Sequence, residues 1–376
     1  MKKNVYILSD SVITPLGSTT QENLQQIYAG VTAIKQYSNE QFGTYYTSRF
    51  DPESSVLSGK EGSKFTKIER LFIASIEQAL ASLSIRTDQA DVLFVFASTK
   101  GNIDQLENSA FDFNRLRIGV MANYITNYFN NTNRPIVVSN ACISGVQAIE
   151  YACKELQRDT YKYIIVTGAD VASDFVLSGF HSFQAMSPFV CKPFDKDRAG
   201  VSIGEGCGTI ILTTEKPDKE AIEILAVTSS NDANHLSGPS RTGDGLSNAI
   251  LAAMKEADVQ SDQIDIISAH GTATMYNDEM ESLAFQTAEI TQASIYSVKG
   301  NIGHTLGAAG IIETIYLAHS LQDNNSIPSL GFNEQGTSVS LNISTKPSKD
   351  KELITGLKTA SGFGGGNAVL ILKKKR

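Results

Sequence analysis

Apolar and polar positions follow two alternating periods along this chain, and the segments with each period succeed one another from residue 5 to residue 372. Runs rich in Val, Ile and Phe predict strands, and apolar residues spaced three or four apart predict helices between them. The predicted strands lie at residues 5–13, 91–98, 135–138, 163–168, 209–213, 222–229, 264–268, 295–298 and 339–343, with a closing pair within 362–372. The predicted helices lie at residues 20–28, 63–83, 146–158, 246–257 and 305–321. This order predicts an α/β fold with helices on both faces of its sheets.

Two segments show neither the apolar runs of a strand nor the apolar spacing of a helix. Residues 38–58 are rich in Tyr and Ser, and residues 169–189 are rich in Ser, Ala and Phe without a regular spacing. We expect both segments to be irregular loops.

The two halves of the chain end alike. Glycines precede an apolar strand at residues 204–213 and again at residues 362–372. A repeated arrangement of this kind indicates an internal duplication, and a length of 376 residues suits two units. We therefore expect two similar α/β halves, at residues 1–218 and 219–376.

Composition narrows the class of protein. The net charge of −8 argues against general binding to nucleic acids or to membrane surfaces. The four cysteines lack metal-binding or redox spacing, no apolar run is long enough to span a bilayer, and the N-terminal apolar run is too short for a signal peptide. These features predict a reduced, cytoplasmic enzyme without a metal site and without a nucleic-acid or membrane partner.

Cys142 lies between the strand predicted at 135–138 and the helix predicted at 146–158. Free backbone N–H groups and the positive end of the helix dipole stabilise a thiolate, so we expect this position to lower the pKa of the thiol and activate it as a nucleophile. A lone cysteine is also a common small residue of the core. The rest of the chain has to distinguish these two interpretations.

Two histidines occur in glycine-rich segments of the second half. His270 follows the strand predicted at 264–268, and His304 precedes the helix predicted at 305–321. Loops at the carboxyl ends of strands form the ligand sites of open α/β folds, whereas a satisfied structural histidine is the alternative interpretation. Two such placements in a chain with only five histidines favour a site shared with Cys142.

Six ordered segments that include these residues resemble the beta-ketoacyl synthase family, the elongating condensing enzymes of type II fatty-acid and polyketide assembly. The segments are NACISG at 140–145, KPFDKDR at 192–198, GEGCG at 204–208, HGTAT at 270–274, KGNIGHTLGAAG at 299–310 and GFGGGN at 362–367. The resemblance implies a thiolase fold, with duplicated halves in a five-layered αβαβα architecture. It also implies a homodimer, or a heterodimer with a related ketosynthase-like subunit.

The resemblance assigns Cys142 as the nucleophile that takes an acyl group from an acyl carrier protein. His270 and His304 would donate hydrogen bonds to a malonyl thioester as it loses carbon dioxide, and the resulting enolate would attack the acyl group on Cys142. Lys299 would support the two histidines. Phe363 would donate its backbone N–H to the oxyanion and gate the acyl pocket between two flexible glycines.

The resemblance also implies residues that bind the substrate. Thr272 and Thr274 match threonines that hydrogen-bond the phosphopantetheine arm of the carrier, although the cap of a helix or turn also explains them. Glu313 matches an acid on the helix beyond the second histidine, and an ordinary buried ion pair with Lys299 is compatible with that role. No cofactor is expected beyond the phosphopantetheine that carries the substrate.

A basic surface is expected for the carrier protein. Lys64, Lys67 and Arg70, together with Lys192, resemble the surface that receives this acidic partner in the family. Basic side chains on a solvated helix face otherwise serve solubility.

The chain departs from the family pattern beside Phe363. Ser361 stands where a first phenylalanine is usual, and Gly366 stands where a threonine or histidine is usual. These departures predict a specialised pathway, such as polyketide or aryl-polyene synthesis, over bulk fatty-acid synthesis. The alternative function is a partner subunit that sets chain length in a heterodimeric ketosynthase, and the retention of Cys142, His270 and His304 argues against it.

Overall fold

The computed structural model describes residues 3–54, 56–57, 64–217, 220–232 and 238–375. Its strands are β1 Val5–Ile13, β2 Ile34–Asn39, β3 Gly43–Ser48, β4 Val92–Ala97, β5 Ile136–Val138, β6 Tyr163–Asp170, β7 Ile203–Gly204, β8 Gly206–Thr213, β9 Ala221–Asn231, β10 Ile266–Ser268, β11 Ser294–Tyr296, β12 Thr355–Gly362 and β13 Gly366–Lys375. Its α-helices are α1 Thr20–Tyr28, α2 Lys67–Leu80, α3 Ile118–Tyr128, α4 Ser144–Leu156, α5 Asp174–Ser182, α6 Asp244–Ala257, α7 Met275–Thr287, α8 Lys299–Ile302 and α9 Ala309–Asp323.

Ten strands form one continuous sheet in the order β11-β10-β12-β13-β9-β1-β8-β6-β4-β5. The same pairing occurs twice, outward from the middle. In the first half β1, β8 and β6 pair antiparallel, and β6, β4 and β5 pair parallel. In the second half β9, β13 and β12 pair antiparallel, and β12, β10 and β11 pair parallel. The predicted duplication is therefore present in the strand topology.

Helices and half-sheets form five layers. Helices α2 and α3 pack on the outer face of the first half-sheet, and α6 and α7 pack on the outer side of the second. Helices α4 and α9 contact each other and strands of both halves, so they form the middle layer. Strands β4 and β8, which have helices on both faces, are buried along their whole length, as a continuous apolar run predicts.

Several predicted elements differ from the observed ones. Residues 38–58 are not irregular, because β2 and β3 form an antiparallel hairpin there and β3 pairs in parallel with the distant strand β7. Helix α5 forms within the supposed loop 169–189, and the hydroxyl of Ser173 accepts the Val176 N–H at 3.3 Å as its N-terminal cap. Helix α7 was not predicted either. Pairing and packing with distant residues, which local periodicity does not show, stabilise these elements.

Other boundaries move. The helix predicted from residue 63 begins at Lys67, since Thr66 and Glu69 form a capping box at its start. Strand β5 is a half-buried edge strand, not a fully buried one, and residues 339–343 form only an isolated bridge. Residue 63 and the predicted boundary between residues 218 and 219 lie outside the described residues. Among the helices that the structure describes, none is long and apolar enough to cross a bilayer.

The middle layer depends on glycines where α4 and α9 cross. A Cβ at Gly145 would lie 2.8 Å from the backbone N of Ile311, and one at Gly310 would lie 2.6 Å from the backbone N of Val146. Real Cβ atoms do not approach backbone atoms this closely, so only glycine lets the two helices meet. The crossing holds the start of a helix from each half at one point of the molecule.

Replacement of Gly310 by alanine is expected to destabilise the fold. Overpacking of this kind costs about 1–3 kcal/mol, which exceeds the roughly 1 kcal/mol that alanine gains over glycine inside a helix. Urea unfolding followed by circular dichroism measures the change. Gly119→Ala in α3 is the matched control, because no atom lies within 4 Å of its Cβ position and its stability should not fall. Equal unfolding midpoints for Gly310→Ala and the wild type would contradict the role of the crossing.

Candidate active site

Cys142 lies in a tight turn between β5 and α4, as predicted. Ala141 has a φ of +44°, in the left-handed region that residues other than glycine rarely adopt. The hydroxyl of Ser144 closes the turn, since it accepts the Asn140 N–H at 2.8 Å and donates to the Ala141 carbonyl at 2.6 Å. The turn holds the Cys142 side chain at the end of the strand, in the interior of the protein.

The two histidines are fixed through their backbones. His270 follows β10, and its N–H donates to the Glu281 carboxylate at 2.8 Å and to the Thr359 hydroxyl at 3.0 Å. The carbonyl of His304 accepts the Gly204 N–H at 2.9 Å, which ties this residue of the second half to β7 of the first. Both imidazoles are buried. Neither ring therefore relies on its own side-chain hydrogen bonds for its position.

Cys142, His270 and His304 come together in one buried cluster. The Nε2 atom of His304 lies 3.0 Å from the Cys142 sulfur, and the two imidazole planes are nearly perpendicular with centroids 5.1 Å apart. The sulfur and one ring nitrogen of each histidine lie within 4.8 Å of one another. Residues that are 162 positions apart in the chain thus share a hydrogen bond.

Burial controls the protonation of the two histidines. Loss of hydration lowers the pKa of His270 and of His304 well below the ordinary value of 6.5, and the positive charge of Lys299 lowers both further. Lys358 acts in the same direction on each. Both imidazoles are therefore neutral at physiological pH.

The pKa expected for Cys142 is wrong in direction. Burial raises the pKa of this thiol to about 12, and the charge of Lys299 opposes only part of the effect. The Cys142 side chain is enclosed by protein, and the cost of removing a thiolate from water exceeds the stabilisation that nearby positive groups supply. At rest the pair is a neutral thiol beside a neutral imidazole.

A buried group of three charges lies behind the histidines. Lys299 Nζ is 2.7 Å from one carboxylate oxygen of Glu313 and donates to the His270 carbonyl. Lys358 Nζ is 2.6 Å from the other oxygen of Glu313. The ion pair between Lys299 and Glu313 was anticipated, whereas Lys358 was missed. Its only trace in the sequence is a single charged residue within the strand segment Leu-Lys-Thr-Ala.

Phe363 lies at the edge of the site with 39% of the residue exposed. Its ring packs against Phe180 and Phe183, with centroids 5.8 and 5.4 Å away. A Cβ at the preceding Gly362 would lie 3.1 Å from the backbone N of Cys142, so the 362–363 peptide is next to the nucleophile turn. The two aromatic partners were missed because their segment was predicted to be a loop.

Ser361 and Gly366, the two residues beside Phe363 that depart from the family pattern, each have a specific neighbour in the structure. Ser361 donates its hydroxyl hydrogen to the Asn367 side-chain oxygen at 2.8 Å. A Cβ at Gly366 would lie 2.7 Å from the Ile143 side chain, so the residue after Cys142 fills the space that a larger residue would need. A side chain at position 366 would therefore have to share its space with Ile143, the residue that follows Cys142.

The two threonines after His270 contact each other. Their hydroxyl oxygens are 3.0 Å apart, and the Thr274 hydroxyl accepts the Asn277 N–H at 3.4 Å as the N-terminal cap of α7. Thr274 is therefore the N-terminal cap of α7, and its predicted contact with the phosphopantetheine arm stays a prediction. The position of Thr272, buried between His270 and this cap, leaves a substrate contact open to proposal.

The four basic residues predicted to receive the carrier protein also make contacts within the chain. Lys67 forms an ion pair with the buried carboxylate of Glu205 at 2.6 Å, and Arg70 donates to a backbone carbonyl. Lys64 and Lys192 lie over aromatic rings, with their ammonium groups 5.4 and 5.2 Å from the ring centroids. Lys67 thus joins α2 to the residue between β7 and β8, which is a structural contact.

Two family models match the chain in sequence order. The model described as beta-ketoacyl synthase, N-terminal domain, matches residues 2–218, and the C-terminal domain matches residues 221–333. The chain belongs to the beta-ketoacyl synthase family. The same family was inferred above from six segments.

Known members of the beta-ketoacyl synthase family resemble this chain over its full length. The 3-oxoacyl-[acyl-carrier-protein] synthase 2 of Vibrio cholerae is 26% identical, with 99% of each chain covered. The structure of a beta-ketoacyl synthase from Burkholderia phymatum has a TM-score of 0.88 at 23% identity and full coverage of both chains. A ketosynthase (ApeO) in complex with its chain length factor (ApeC) from Xenorhabdus doucetiae has a TM-score of 0.87 at 24% identity, covering 99% of this chain and 98% of that one. The fold is the thiolase fold.

Alkylation of Cys142 by iodoacetamide should accelerate steadily with pH. Since its pKa is raised to about 12, the thiolate fraction rises about tenfold per pH unit between pH 7 and pH 9. Peptide mapping by mass spectrometry measures the rate at Cys142, with Cys142→Ala as the control for site assignment. A rate that levels off near pH 7 would show a thiolate already present at rest.

Proposed function

We propose that this chain is a beta-ketoacyl-[acyl-carrier-protein] synthase that joins malonyl-carrier protein to an acyl chain held on Cys142, with loss of carbon dioxide. The observation that supports this function most is the 3.0 Å contact between the Cys142 sulfur and His304 Nε2, with His270 beside it. One nucleophile and two neutral imidazoles are the groups that this reaction needs.

Acyl transfer comes first. The Cys142 sulfur attacks the carbonyl carbon of an acyl thioester on the carrier, a new C–S bond forms, and the old one breaks to release the carrier as a thiol. His304 Nε2 is placed to accept the proton of Cys142 and return it to the leaving sulfur. Proton transfer during the attack removes the need for a resting thiolate.

Decarboxylation and condensation follow. The malonyl group loses carbon dioxide, and the electron pair of the broken C–C bond forms an enolate whose oxygen accepts hydrogen bonds from His270 and His304. The enolate carbon attacks the acyl carbonyl to form a C–C bond, the C–S bond to Cys142 breaks, and the departing thiolate takes up a proton from solvent. His304 accepts a proton in the first stage and donates a hydrogen bond in the second, which the two tautomers of a neutral imidazole allow.

Two backbone N–H groups are assigned to the oxyanion of the acyl intermediate. They belong to Cys142 and Phe363, and the close approach of Gly362 to the Cys142 backbone supports this assignment. The ring of Phe363 is partly exposed and would act as the gate of the acyl pocket, held by Phe180 and Phe183 until a substrate displaces it.

The supporting residues follow from the same contacts. Lys299 fixes the His270 carbonyl, and Glu313 fixes Lys299. Thr272 would hydrogen-bond the phosphopantetheine arm. The proposal assigns no metal ion and no cofactor other than that arm, and it assigns Lys64, Arg70 and Lys192 to the contact with the acidic carrier protein.

A second subunit is part of the proposal. Strand β5 ends the sheet with three half-buried residues, so this edge is suited to pairing with a second copy. A heterodimer with a related subunit is the alternative arrangement, since a structurally similar ketosynthase was solved with its chain length factor. The buried cluster of Cys142 and two histidines favours the catalytic role for this chain in either arrangement.

The purified chain, incubated alone with acyl-carrier protein, should gain the mass of one acyl group at Cys142. Intact-protein mass spectrometry followed by peptide mapping locates the adduct. Cys142→Ala should gain no mass, while Cys153→Ala, which changes a cysteine outside the site, should behave as the wild type does. An acyl adduct that persists in Cys142→Ala would refute the assigned nucleophile.

Removal of either histidine should reduce condensation strongly. His270→Ala is expected to lower kcat by about 10²–10³-fold, as the loss of one oxyanion donor does in other enzymes. Release of ¹⁴C-labelled carbon dioxide from malonyl-carrier protein measures the step directly. The exposed His181 provides the control, since His181→Ala changes an imidazole outside the cluster. A decarboxylation rate within threefold of the wild type for His270→Ala would contradict the assigned role.

A further inference from the structure

Lys358 is a fully buried lysine. It lies on β12, which is buried along nearly its whole length, and no part of the Lys358 residue is exposed. Lysine is almost never fully buried unless it is paired, because the loss of hydration of an ammonium group is costly. Its burial beside the active site therefore calls for an explanation.

The contacts of Lys358 all lead to the histidine segment. Its Nζ atom is 2.6 Å from Glu313, donates to the Ser268 carbonyl at 3.3 Å and also donates to the carbonyl of Thr359. Ser268 is two residues before His270, and the Thr359 hydroxyl accepts the His270 N–H at 3.0 Å. Lys358 thus holds the strand end from which His270 projects.

The net charge of the buried group also indicates a role for Lys358. One carboxylate, Glu313, lies between two ammonium groups, at 2.7 Å from Lys299 and 2.6 Å from Lys358. With both lysines protonated, the group of three has one excess positive charge. Without Lys358 it would be an electrically balanced pair.

We propose that Lys358 is a positioning residue that holds Glu313 and the His270 strand end in place and supplies a positive charge that, together with burial and Lys299, disfavours protonation of both imidazoles. The inference rests on the proposed function, in which His304 has to accept the Cys142 proton. An imidazolium at His304 has no lone pair for that proton, so acyl transfer needs the neutral form.

Other charged groups near the histidines do not supply this charge. Glu281 accepts the backbone N–H groups of His270 and Gly271, and Asp170 accepts those of Thr99 and Gly307. Burial raises the pKa of Asp170, while its hydrogen bonds from Thr99, Ser98 and Gly307 act in the opposite direction. Among the residues that the structure describes, the charged groups that act on Cys142 or contact the two histidines are Lys100, Asp170, Glu281, Lys299, Glu313 and Lys358.

The directions of the shifts agree with the geometry. Burial is the largest cause that lowers the pKa of His270 and His304, and the charges of Lys299 and Lys358 add to it for both residues. Burial also lowers the pKa of Lys358 itself, while the contact with Glu313 acts in the opposite direction. Removal of the Lys358 charge should therefore make both histidines easier to protonate.

Titration of the histidines tests the inference without any turnover. The chain has five histidines, so protein labelled with ¹³C at histidine Cε1 gives few resonances, and His270→Gln and His304→Gln assign the two of interest. In the wild type both resonances should stay at the neutral position from pH 8 down to pH 6. In Lys358→Met both titration midpoints should move to higher pH. Free imidazole in the sample serves as the reference.

Control variants separate charge from packing. Lys358→Arg should titrate as the wild type does, because it keeps the charge. Lys374→Met removes a lysine paired with Glu220 at the far end of β13 and should leave both resonances unchanged. If Lys358→Met does not fold, Lys358→Gln keeps a hydrogen-bond donor for the Ser268 carbonyl and should give the same shift. Unchanged titrations in a folded Lys358→Met or Lys358→Gln would overturn the proposal, as would a wild-type midpoint near 6.5 for either histidine.

The pH profile of condensation gives a second readout. For Lys358→Met, the ratio of kcat/KM at pH 6 to that at pH 8 should fall at least about threefold below the wild-type ratio, because a larger fraction of His304 is protonated at pH 6. An equal loss at every pH would indicate a structural role only and would overturn the proposal. A protein with no condensing activity but with the predicted titration shift would refute the proposed function and leave the charge role supported.

Discussion

The close crossing of α4 and α9 is the contact on which the rest of the structure depends. Cys142 lies two residues before α4 and His304 lies five residues before α9, so the distance between the thiol and the imidazole is set by how near the two helices approach. Gly145 and Gly310 remove the side chains that would separate them. The duplicated half-sheets then pack on either side of this pair, and the 3.0 Å contact between sulfur and imidazole follows from the crossing.

In the proposed mechanism the site would act by excluding water rather than by accumulating charge at Cys142. Burial raises the pKa of Cys142 and lowers that of both histidines, so all three groups rest in their neutral forms. Glu313 and its two lysine partners form a buried charged group behind these three side chains. The two ammonium groups contact Glu313 and backbone carbonyls, so they hold the histidine segment in place.

Local sequence was sufficient to predict the bounds of elements whose stability depends on neighbouring residues. Strand β1 and helix α1 have the predicted bounds, because their apolar periodicity and the Thr19 cap are properties of neighbouring residues. The hairpin of β2 and β3 and helix α5 were missed for the opposite reason. The hairpin is completed by β7, more than 150 residues away in the chain, and α5 packs its apolar side into a cluster that includes Tyr45 of β3. Their stability is not a property of local periodicity.

The sequence by itself was sufficient to predict the duplicated α/β architecture, the family and the cluster of Cys142, His270 and His304. Glycine-bordered motifs and apolar periodicity are properties of short segments, so they can be recognised without the tertiary structure. Only the tertiary structure decided that Lys67 is paired with a buried carboxylate and that Lys358 belongs to the site. It also reversed the expected pKa of the thiol. Charge state and pairing depend on how completely distant parts of the chain exclude water from a side chain, and no local pattern of residues records that exclusion.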